Sequence, residues 1–226
     1  MSISDKIIQY QEELKATGTR LIAVSKTKPN EDLLQAYEAG QRDFGENKVQ
    51  ELSRKAEELP KDIRWHFIGH LQRNKVKYIA PFVSMIHAVD SLRLAAEINK
   101  QAIKNDRTID CLLQVHIADE DTKFGFSEEE LMEFLGSEAL ATMTNLRICG
   151  LMGMATNTPD LEQVAKEFRG LKSLADKIEQ ATSSPQITMK ELSMGMTNDY
   201  KIACAEGSTM VRIGSAIFGA RNYQTA

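Results

Sequence analysis

Cysteine is scarce in this sequence. The three cysteines, Cys111, Cys149 and Cys204, are odd in number and far apart, and neither a C-x-x-C pair nor a histidine at metal-ligand spacing accompanies them. This pattern argues against a disulfide framework and against a structural zinc site. Each cysteine is interpreted as a small buried hydrophobic residue, and we expect no metal site.

The sequence also lacks a strong charge of one sign and any long apolar run. The formal net charge is −4 and the pI is about 5.7, which leaves no positive surface for a polyanion, so nucleic-acid binding is not expected. No apolar run is long enough to cross a bilayer, and residues 1–6 do not begin a basic segment followed by an apolar stretch. We therefore expect a cytoplasmic protein without a membrane partner.

What the sequence does contain is an alternation of short apolar segments with amphipathic ones. The chain has 226 residues, of which 42% are hydrophobic and 27% charged, as in ordinary globular proteins. A helix is predicted first, because Ile3, Ile7, Ile8 and Leu14 share one helical face ahead of Gly18. Eight strands with helices between them are predicted next, at residues 20–27, 42–45, 63–68, 84–89, 111–117, 146–152, 187–193 and 209–213.

Eight strands alternating with helices predict a parallel sheet closed on itself. No change of composition and no Gly/Ser-rich linker divides the chain, so residues 1–226 are interpreted as one domain, a (β/α)8 barrel with an extra N-terminal helix. The alternative is an open doubly wound sheet. That fold usually shows a G-x-G-x-x-G turn after its first strand, whereas the sequence there is SKTKP at 25–29.

A barrel places its chemistry at the carboxyl ends of the strands, commonly with a phosphate site in the loops after strands seven and eight. Those loops here contain SMGMT at 193–197 and RIGS at 212–215. Hydroxyl groups beside glycines suit a phosphate dianion. Either loop alone could be an ordinary turn, but the presence of both at these two positions favours a phosphate site.

Lys26 lies at the carboxyl end of the first predicted strand and has the parity of Ile22 and Val24. If that face is the barrel interior, its amine lies in the mouth of the barrel, where partial desolvation favours the neutral, nucleophilic form. The ordinary alternative is a lysine that reaches into water, which is how Lys28 is interpreted. An amine opposite a phosphate site suggests a phosphorylated aldehyde cofactor, of which pyridoxal 5'-phosphate is the obvious candidate.

Six segments carry a resemblance to a known family. They are AVSKTKP at 23–29, FGENKVQE at 44–51, WHFIGHLQRNK at 65–75, GLMGM at 150–154, LSMGM at 192–196 and VRIGSAIFGAR at 211–221. Together they span nearly the whole chain, which resembles the pyridoxal phosphate homeostasis proteins. That family is similar to the barrel domain of alanine racemase, and the resemblance implies a fold-type III barrel that binds pyridoxal 5'-phosphate.

The resemblance also implies roles for individual residues. Lys26 would hold the cofactor as an internal aldimine, and Asn47 would line its pocket. Ser193, Gly214 and Ser215 would bind the phosphate, and Arg212 would face the pyridine nitrogen. The sequence departs from the family pattern at His116, where asparagine is expected, and at Thr197 and Ser215, where one hydroxyl residue replaces another.

Arg212 supports a mechanistic expectation of its own. An arginine is always charged and can only donate, so it would leave the pyridine nitrogen unprotonated, and the ring would then stabilise carbanions poorly. Without the phosphate loops, the same arginine would be interpreted as a structural ion-pair partner.

The chain ends soon after the last predicted barrel element, so we expect no second domain to cover the cofactor and exclude water. The favoured hypothesis is a pyridoxal 5'-phosphate carrier without robust catalysis and without catalytic residues, which passes its cofactor to apoenzymes and is expected to be a monomer. A weak amino-acid racemase or decarboxylase is the enzyme alternative. A third hypothesis is an aldolase-type barrel in which Lys26 forms an imine with a sugar phosphate.

Several other polar residues have ordinary interpretations. His66, His70 and His87 lie near strand ends and are interpreted as satisfied polar groups, because a lone histidine is seldom a ligand or base. Lys48 and Glu51, on the second predicted helix of the barrel, are expected to face solvent.

Overall fold

The computed structural model describes residues 1–119, 124–182 and 184–220. Eight parallel strands form a closed barrel in the order β1 to β8, which confirms the predicted (β/α)8 fold. The strands are β1 Arg20–Val24, β2 Asp43–Glu46, β3 Arg64–Phe67, β4 Met85–Val89, β5 Ile109–Gln114, β6 Leu146–Met152, β7 Ile187–Met196 and β8 Met210–Ile213. The helices are α1 Ile3–Lys15, α2 Asn30–Glu38, α3 Val49–Glu58, α4 Val76–Ile79, α5 Leu92–Lys104, α6 Glu128–Leu135, α7 Glu138–Ala141, α8 Leu161–Ala181, α9 Tyr200–Ala205 and α10 Ser215–Phe218.

The predicted N-terminal helix is confirmed as α1. Its first turn is stabilised by a capping box, in which the Ser2 side chain accepts from the Asp5 amide and the Asp5 carboxylate accepts from the Ser2 amide. Gly18 follows the helix with a φ of 66°, a conformation that glycine adopts without strain. Ile7 and Leu14 are buried and pack in the core, whereas Ile8, which was predicted on the same face, is 52% exposed.

The strands differ from their predicted bounds by at most three residues, and two of these differences matter for the loops above the barrel. β1 ends at Val24, so Lys26 lies in the turn after the strand rather than within it. β7 continues to Met196, so Ser193 lies inside the strand rather than in the loop that follows.

Pairing of β1 with β8 closes the barrel. Ile22 lies opposite Arg212 and Ala23 opposite Ile213, so the turn after β1 lies beside Gly214 and Ser215. The two strands approach closely at Gly214, where a Cβ atom would lie 2.9 Å from the Val24 carbonyl oxygen. A larger residue at position 214 would therefore push the last strand away from the first.

Two separate apolar clusters show the alternation of the strands. The larger one fills the space between strands and helices and includes Leu21 and Ala23 of β1. Ile22 belongs to the smaller cluster inside the barrel, as its parity predicts. The other members of this inner cluster are Met85, Ala88, Leu112, Cys149, Met152 and Met210.

The three cysteines carry free thiols. Cys111 and Cys149 are buried, and Cys204 is half-buried. Within residues 1–119, 124–182 and 184–220, no helix is long and apolar enough to cross a membrane.

Candidate functional site

A cavity of about 630 Å³ opens at the carboxyl ends of the strands. Five of the six predicted site residues line it, namely Lys26, Asn47, Arg212, Gly214 and Ser215. They come from the turns after β1 and β2, from β8 and from the turn after β8. The cavity thus brings together residues from both ends of the sequence. The volume of the cavity is within the range of small-molecule sites.

The turn that carries Lys26 is strained. Thr27, the next residue, has a φ of 65°, a left-handed conformation that is an outlier for a β-branched residue. Such a conformation costs of order 1–3 kcal/mol and persists only where the surroundings enforce it. Here the Thr27 amide donates to Glu51 Oε1 at 2.7 Å, and Lys55 Nζ donates to the Ser25 carbonyl at 2.8 Å. The backbone on both sides of Lys26 is therefore held by α3.

A buried ion pair lies beneath this turn. Lys55 Nζ contacts Glu46 Oε1 at 2.7 Å and Glu51 Oε1 at 2.8 Å, and the side chains of Lys55 and Glu46 are fully buried. Ser25 Oγ also donates to Glu46 Oε1, at 2.6 Å. Burial raises the pKa of Glu46, and the charge of Lys55 opposes this shift only in part. Lys55, Glu46 and Glu51 thus form a charged cluster beneath the turn, and its hydrogen bonds to Ser25 hold the residue that follows β1.

The expectation that Glu51 faces solvent is wrong. Its side chain is only 14% exposed and joins Lys55 to the Thr27 amide, whereas Lys48 is exposed as expected. The helical pattern of α3 alone could not reveal this, because Lys55 and Glu51 are one turn apart on a face that looks polar in sequence.

Asn47 follows β2 and is held close to the turn after β3. A Cβ atom on Gly69 would lie 2.5 Å from the Asn47 carbonyl oxygen and 2.8 Å from its Cα, so only glycine permits this approach. The Asn47 Oδ1 atom is buried and has no hydrogen-bond partner among the described residues. A buried acceptor without a partner on the wall of a cavity is suited to a ligand donor.

Two hydroxyl groups lie close together on the cavity wall, one after β7 and one after β8. Thr197 Oγ1 lies 3.4 Å from Ser215 Oγ, and both residues line the cavity. The Thr197 turn is braced by Asp199, whose carboxylate accepts from the Met196 amide. Thr197 ends the SMGMT segment predicted as a phosphate loop, although Ser193 was the residue of that segment named for phosphate binding. Residues 194–196, with two methionines, are the sequence signal that could have predicted a longer β7 and a loop that begins at Thr197.

Ser193 does not line this cavity, in contrast to the other predicted site residues. It is fully buried within β7, and its Oγ atom is 2.7 Å from Arg212 Nη1 and 2.9 Å from His87 Nδ1. The Ser193 hydroxyl is therefore hydrogen-bonded inside the barrel. It lies there because β7 continues to Met196, three residues beyond the predicted end of the strand.

Arg212 lines the cavity although it is only 5% exposed. Nη1 donates to the Ser193 carbonyl at 2.6 Å and to Ser193 Oγ at 2.7 Å, and Nη2 donates to the Gly153 carbonyl at 3.0 Å. Burial lowers the pKa of Arg212 to about 10, while Asp199 acts in the opposite direction. The guanidinium group is thus charged at neutral pH and held by carbonyl and hydroxyl oxygens.

His116, the residue that departs from the family pattern, does not line the Lys26 cavity. It lines a second cavity of about 500 Å³, together with Asp119 and residues of α8. Its Nε2 atom is buried and has no partner within the described part of the chain. In that same part of the chain, no group of three or more histidine, cysteine, aspartate and glutamate side chains is placed to hold a metal ion.

Comparison with known proteins gives a consistent set of relatives. The family model for the alanine racemase N-terminal domain matches residues 2–222. The pyridoxal phosphate homeostasis protein of Pasteurella multocida is 38% identical and is covered over 99% of both chains. The protein of the same name from Aquifex aeolicus is 40% identical, over 90% of this chain and 88% of that one.

A solved structure extends the comparison to three dimensions. The structure of PipY from Synechococcus elongatus PCC7942 with PLP bound has a TM-score of 0.86 and 34% identity to this chain. The match covers 96% of this chain and 100% of the PipY chain, so the two barrels correspond over nearly their full lengths.

The buried ion pair generates a stability prediction. Replacing Lys55→Met leaves the Glu46 carboxylate buried without its cationic partner, and we expect the free energy of unfolding at neutral pH to fall by about 3–5 kcal/mol. Glu46 would then have a folded-state pKa even further above its unfolded value near 4.5. Because the folded state binds more protons than the unfolded state above that pH, the stability of the variant should decline as pH rises from about 4.5.

Urea denaturation of wild type and variant at pH 5 and pH 8 measures this difference. Lys48→Met, at an exposed lysine nearby, is the matched control and should change stability by no more than about 0.5 kcal/mol. Adding Glu46→Gln to Lys55→Met should restore part of the loss, since it removes the buried charge. A Lys55→Met loss no larger than that of the control would contradict the assignment.

Proposed function

This chain belongs to the pyridoxal phosphate homeostasis protein family, and we propose that it binds pyridoxal 5'-phosphate in the strand-end cavity and takes part in the homeostasis of that cofactor. The observation that carries the proposal is the meeting of an amine, a hydroxyl pair and a buried guanidinium in one cavity. These groups come from Lys26, from Thr197 and Ser215, and from Arg212.

The residues present fit the cofactor. Bound pyridoxal 5'-phosphate would supply an aldehyde to which amines add, and Lys26 is the amine that would hold it covalently. The unpaired Asn47 Oδ1 would accept a hydrogen bond from a polar group of the ligand. The cavity of about 630 Å³ has room for a ring with a phosphate arm.

Thr197 and Ser215 are proposed as the hydroxyl groups that donate to the phosphate, with Gly214 allowing β8 to approach β1 beside them. Their separation of 3.4 Å lets both hydroxyls reach one anion. Because Ser193 is fully buried and bonded to Arg212 and His87, its proposed role is to support Arg212 rather than to bind phosphate.

Arg212 is proposed to face the pyridine nitrogen. A guanidinium can only donate, so the nitrogen would accept a hydrogen bond and would not be protonated. A cofactor bound in this way withdraws electrons weakly. We therefore propose a carrier that lacks robust catalysis and has no dedicated catalytic residues.

The rim of the cavity supports a role in holding and passing on the cofactor. Several of its apolar side chains are exposed, including Phe124 at 57% and Leu161 at 63%. We propose that water and amines reach the cavity past this rim, whereas enzymes that stabilise charged intermediates exclude water. We propose that the recipients are pyridoxal phosphate-dependent apoenzymes in the cytoplasm.

The first test concerns the covalent link. The purified protein, reconstituted with pyridoxal 5'-phosphate, should be yellow, and borohydride should fix the cofactor as a stable secondary amine on Lys26. Peptide mapping by mass spectrometry locates the adduct. Lys28→Arg is the matched control, since Lys28 also lines the cavity and donates to the Ala220 carbonyl.

Lys26→Arg should abolish both the colour and the adduct, because arginine keeps the charge but does not form an imine. Lys28→Arg should retain both. An adduct that maps to Lys28, or a reconstituted wild type without cofactor, refutes the proposal.

The second test concerns the phosphate. Replacing Thr197→Ala and Ser215→Ala together should weaken the binding of pyridoxal 5'-phosphate by at least about tenfold, since each charge-assisted hydrogen bond contributes roughly 1.5–3 kcal/mol. Pyridoxal, which lacks the phosphate, should bind the wild type weakly and should be insensitive to the double substitution. Titration followed by absorbance measures both ligands, and an equal loss for the two would contradict the phosphate assignment.

The third test concerns catalysis. Holoprotein incubated with L-alanine and other amino acids in deuterated water should show no sustained racemisation, decarboxylation or transamination, because Arg212 leaves the ring a weak electron sink. Chiral chromatography and NMR measure the products. Multiple turnovers at about 1 per second or faster, an ordinary enzymatic rate, would favour the racemase or decarboxylase alternative.

A further inference from the structure

Five polar side chains from five strands form a continuous hydrogen-bonded chain inside the barrel. Arg212 Nη1 is 2.7 Å from Ser193 Oγ, which is 2.9 Å from His87 Nδ1. His87 Nε2 is 2.9 Å from His66 Nδ1, and His66 Nε2 is 3.0 Å from Asp43 Oδ1. Each of the five residues is more than nine-tenths buried. The chain begins at the cavity and ends at the first residue of β2.

A single direction of donation, from Arg212 to Asp43, satisfies every hydrogen bond in this chain. Arg212 can only donate and the Asp43 carboxylate can only accept. In that direction Ser193 Oγ accepts from Arg212 and gives its own hydrogen to His87 Nδ1. His87 must then carry its hydrogen on Nε2 and donate to His66 Nδ1. His66 likewise carries its hydrogen on Nε2 and donates to Asp43.

The pKa shifts of Asp43 and His87 agree with this order. Burial raises the pKa of Asp43, but hydrogen bonds from Arg64 and His66 outweigh it, and the pKa lies well below the usual range. Burial lowers the pKa of His87 well below its usual value, and His66 and Arg212 add to the effect. An ionised Asp43 and a neutral His87 are what the one-directional chain requires.

We propose that Asp43, His66, His87 and Ser193 act as a positioning relay that orients the Arg212 guanidinium toward the pyridine nitrogen of the bound cofactor. This inference rests on the proposed function, since it concerns how the cofactor's ring is held. With the Ser193 hydroxyl hydrogen committed to His87, Ser193 presents two acceptors, its Oγ and its carbonyl oxygen, to one nitrogen of Arg212. The guanidinium cannot rotate without breaking both bonds.

The relay makes a prediction for the wild-type protein that needs no substitution. His66 and His87 should both carry hydrogen on Nε2 and none on Nδ1. The sequence contains four histidines, so ¹⁵N-histidine labelling and long-range ¹H–¹⁵N correlation spectra can resolve the tautomers. Hydrogen on Nδ1 of either residue overturns the relay, since the direction would then be reversed.

A second experiment tests the link to the cofactor. Ser193→Ala removes the hydroxyl between His87 and Arg212, and we expect the affinity for pyridoxal 5'-phosphate to fall by about tenfold. The affinity for the 1-deaza analogue, which has the phosphate but no ring nitrogen, should change by less than about twofold, because that ligand offers Arg212 no acceptor. Ser208→Ala is the matched control, a buried serine whose hydroxyl lies within 3.2 Å of three backbone carbonyls of β7 and β8, those of Leu192, Met194 and Met210, and can donate to them.

The outcomes separate the relay from other roles. A loss confined to the ligand with a ring nitrogen, in Ser193→Ala and not in Ser208→Ala, supports the relay. Equal losses for both ligands would assign Ser193 to the phosphate or to general stability, and no loss in a folded variant would remove it from the site. If Ser193→Ala does not fold, the wild-type histidine tautomers decide alone. A wild type that binds neither ligand would instead refute the proposed function.

Discussion

The hydrogen bonds between β1 and β8 are the constraint on which the site depends. Parallel strands in a closed barrel end at the same face, so the last strand returns the chain to the turn that follows the first. Lys26, which follows β1, and Ser215, which follows β8, belong to one cavity for this reason alone. The close approach at Gly214 shows how tightly this junction is packed.

The interior of the barrel combines a small apolar cluster with a polar chain that begins in a cation and ends in an anion. A charged group buried without partners costs several kcal/mol, so Arg212 and Asp43 both need dedicated hydrogen bonds. Arg212 obtains them from Ser193 and Gly153, and Asp43 from His66 and Arg64. The bonds that make the buried charges tolerable also determine where the guanidinium points.

The fold could be predicted from the sequence because eight apolar segments alternate with amphipathic ones, and one strand, Leu146–Met152, agrees with its predicted bounds residue for residue. The ends of strands one and eight indicated Lys26, Arg212, Gly214 and Ser215, and the family resemblance added Asn47. The structure brings these five residues to one cavity. The length of β7 was predicted wrongly. Residues 194–196 belong to the strand, so Ser193 lies inside the barrel, and Thr197 lines the cavity instead.

Contacts between elements that are distant in sequence could not be predicted from local sequence patterns. Lys55 has the spacing of a polar helical residue, and only the packing of α3 against β1 and β2 reveals that it is fully buried against Glu46. His66 and His87 were interpreted singly as satisfied polar groups. Their mutual bond depends on the relative height of β3 and β4, which sequence periodicity does not encode.

The left-handed conformation of Thr27 bears on how tightly a ligand can be held. Binding a small molecule is weakened by whatever ordering of the protein must accompany it. Glu51 and Lys55 already fix the backbone on either side of Lys26, so the conformational entropy of this turn is lost when the barrel folds and not when a ligand arrives. The strain at Thr27 is thus the local cost of preorganisation, and the folding free energy of the whole barrel sustains it.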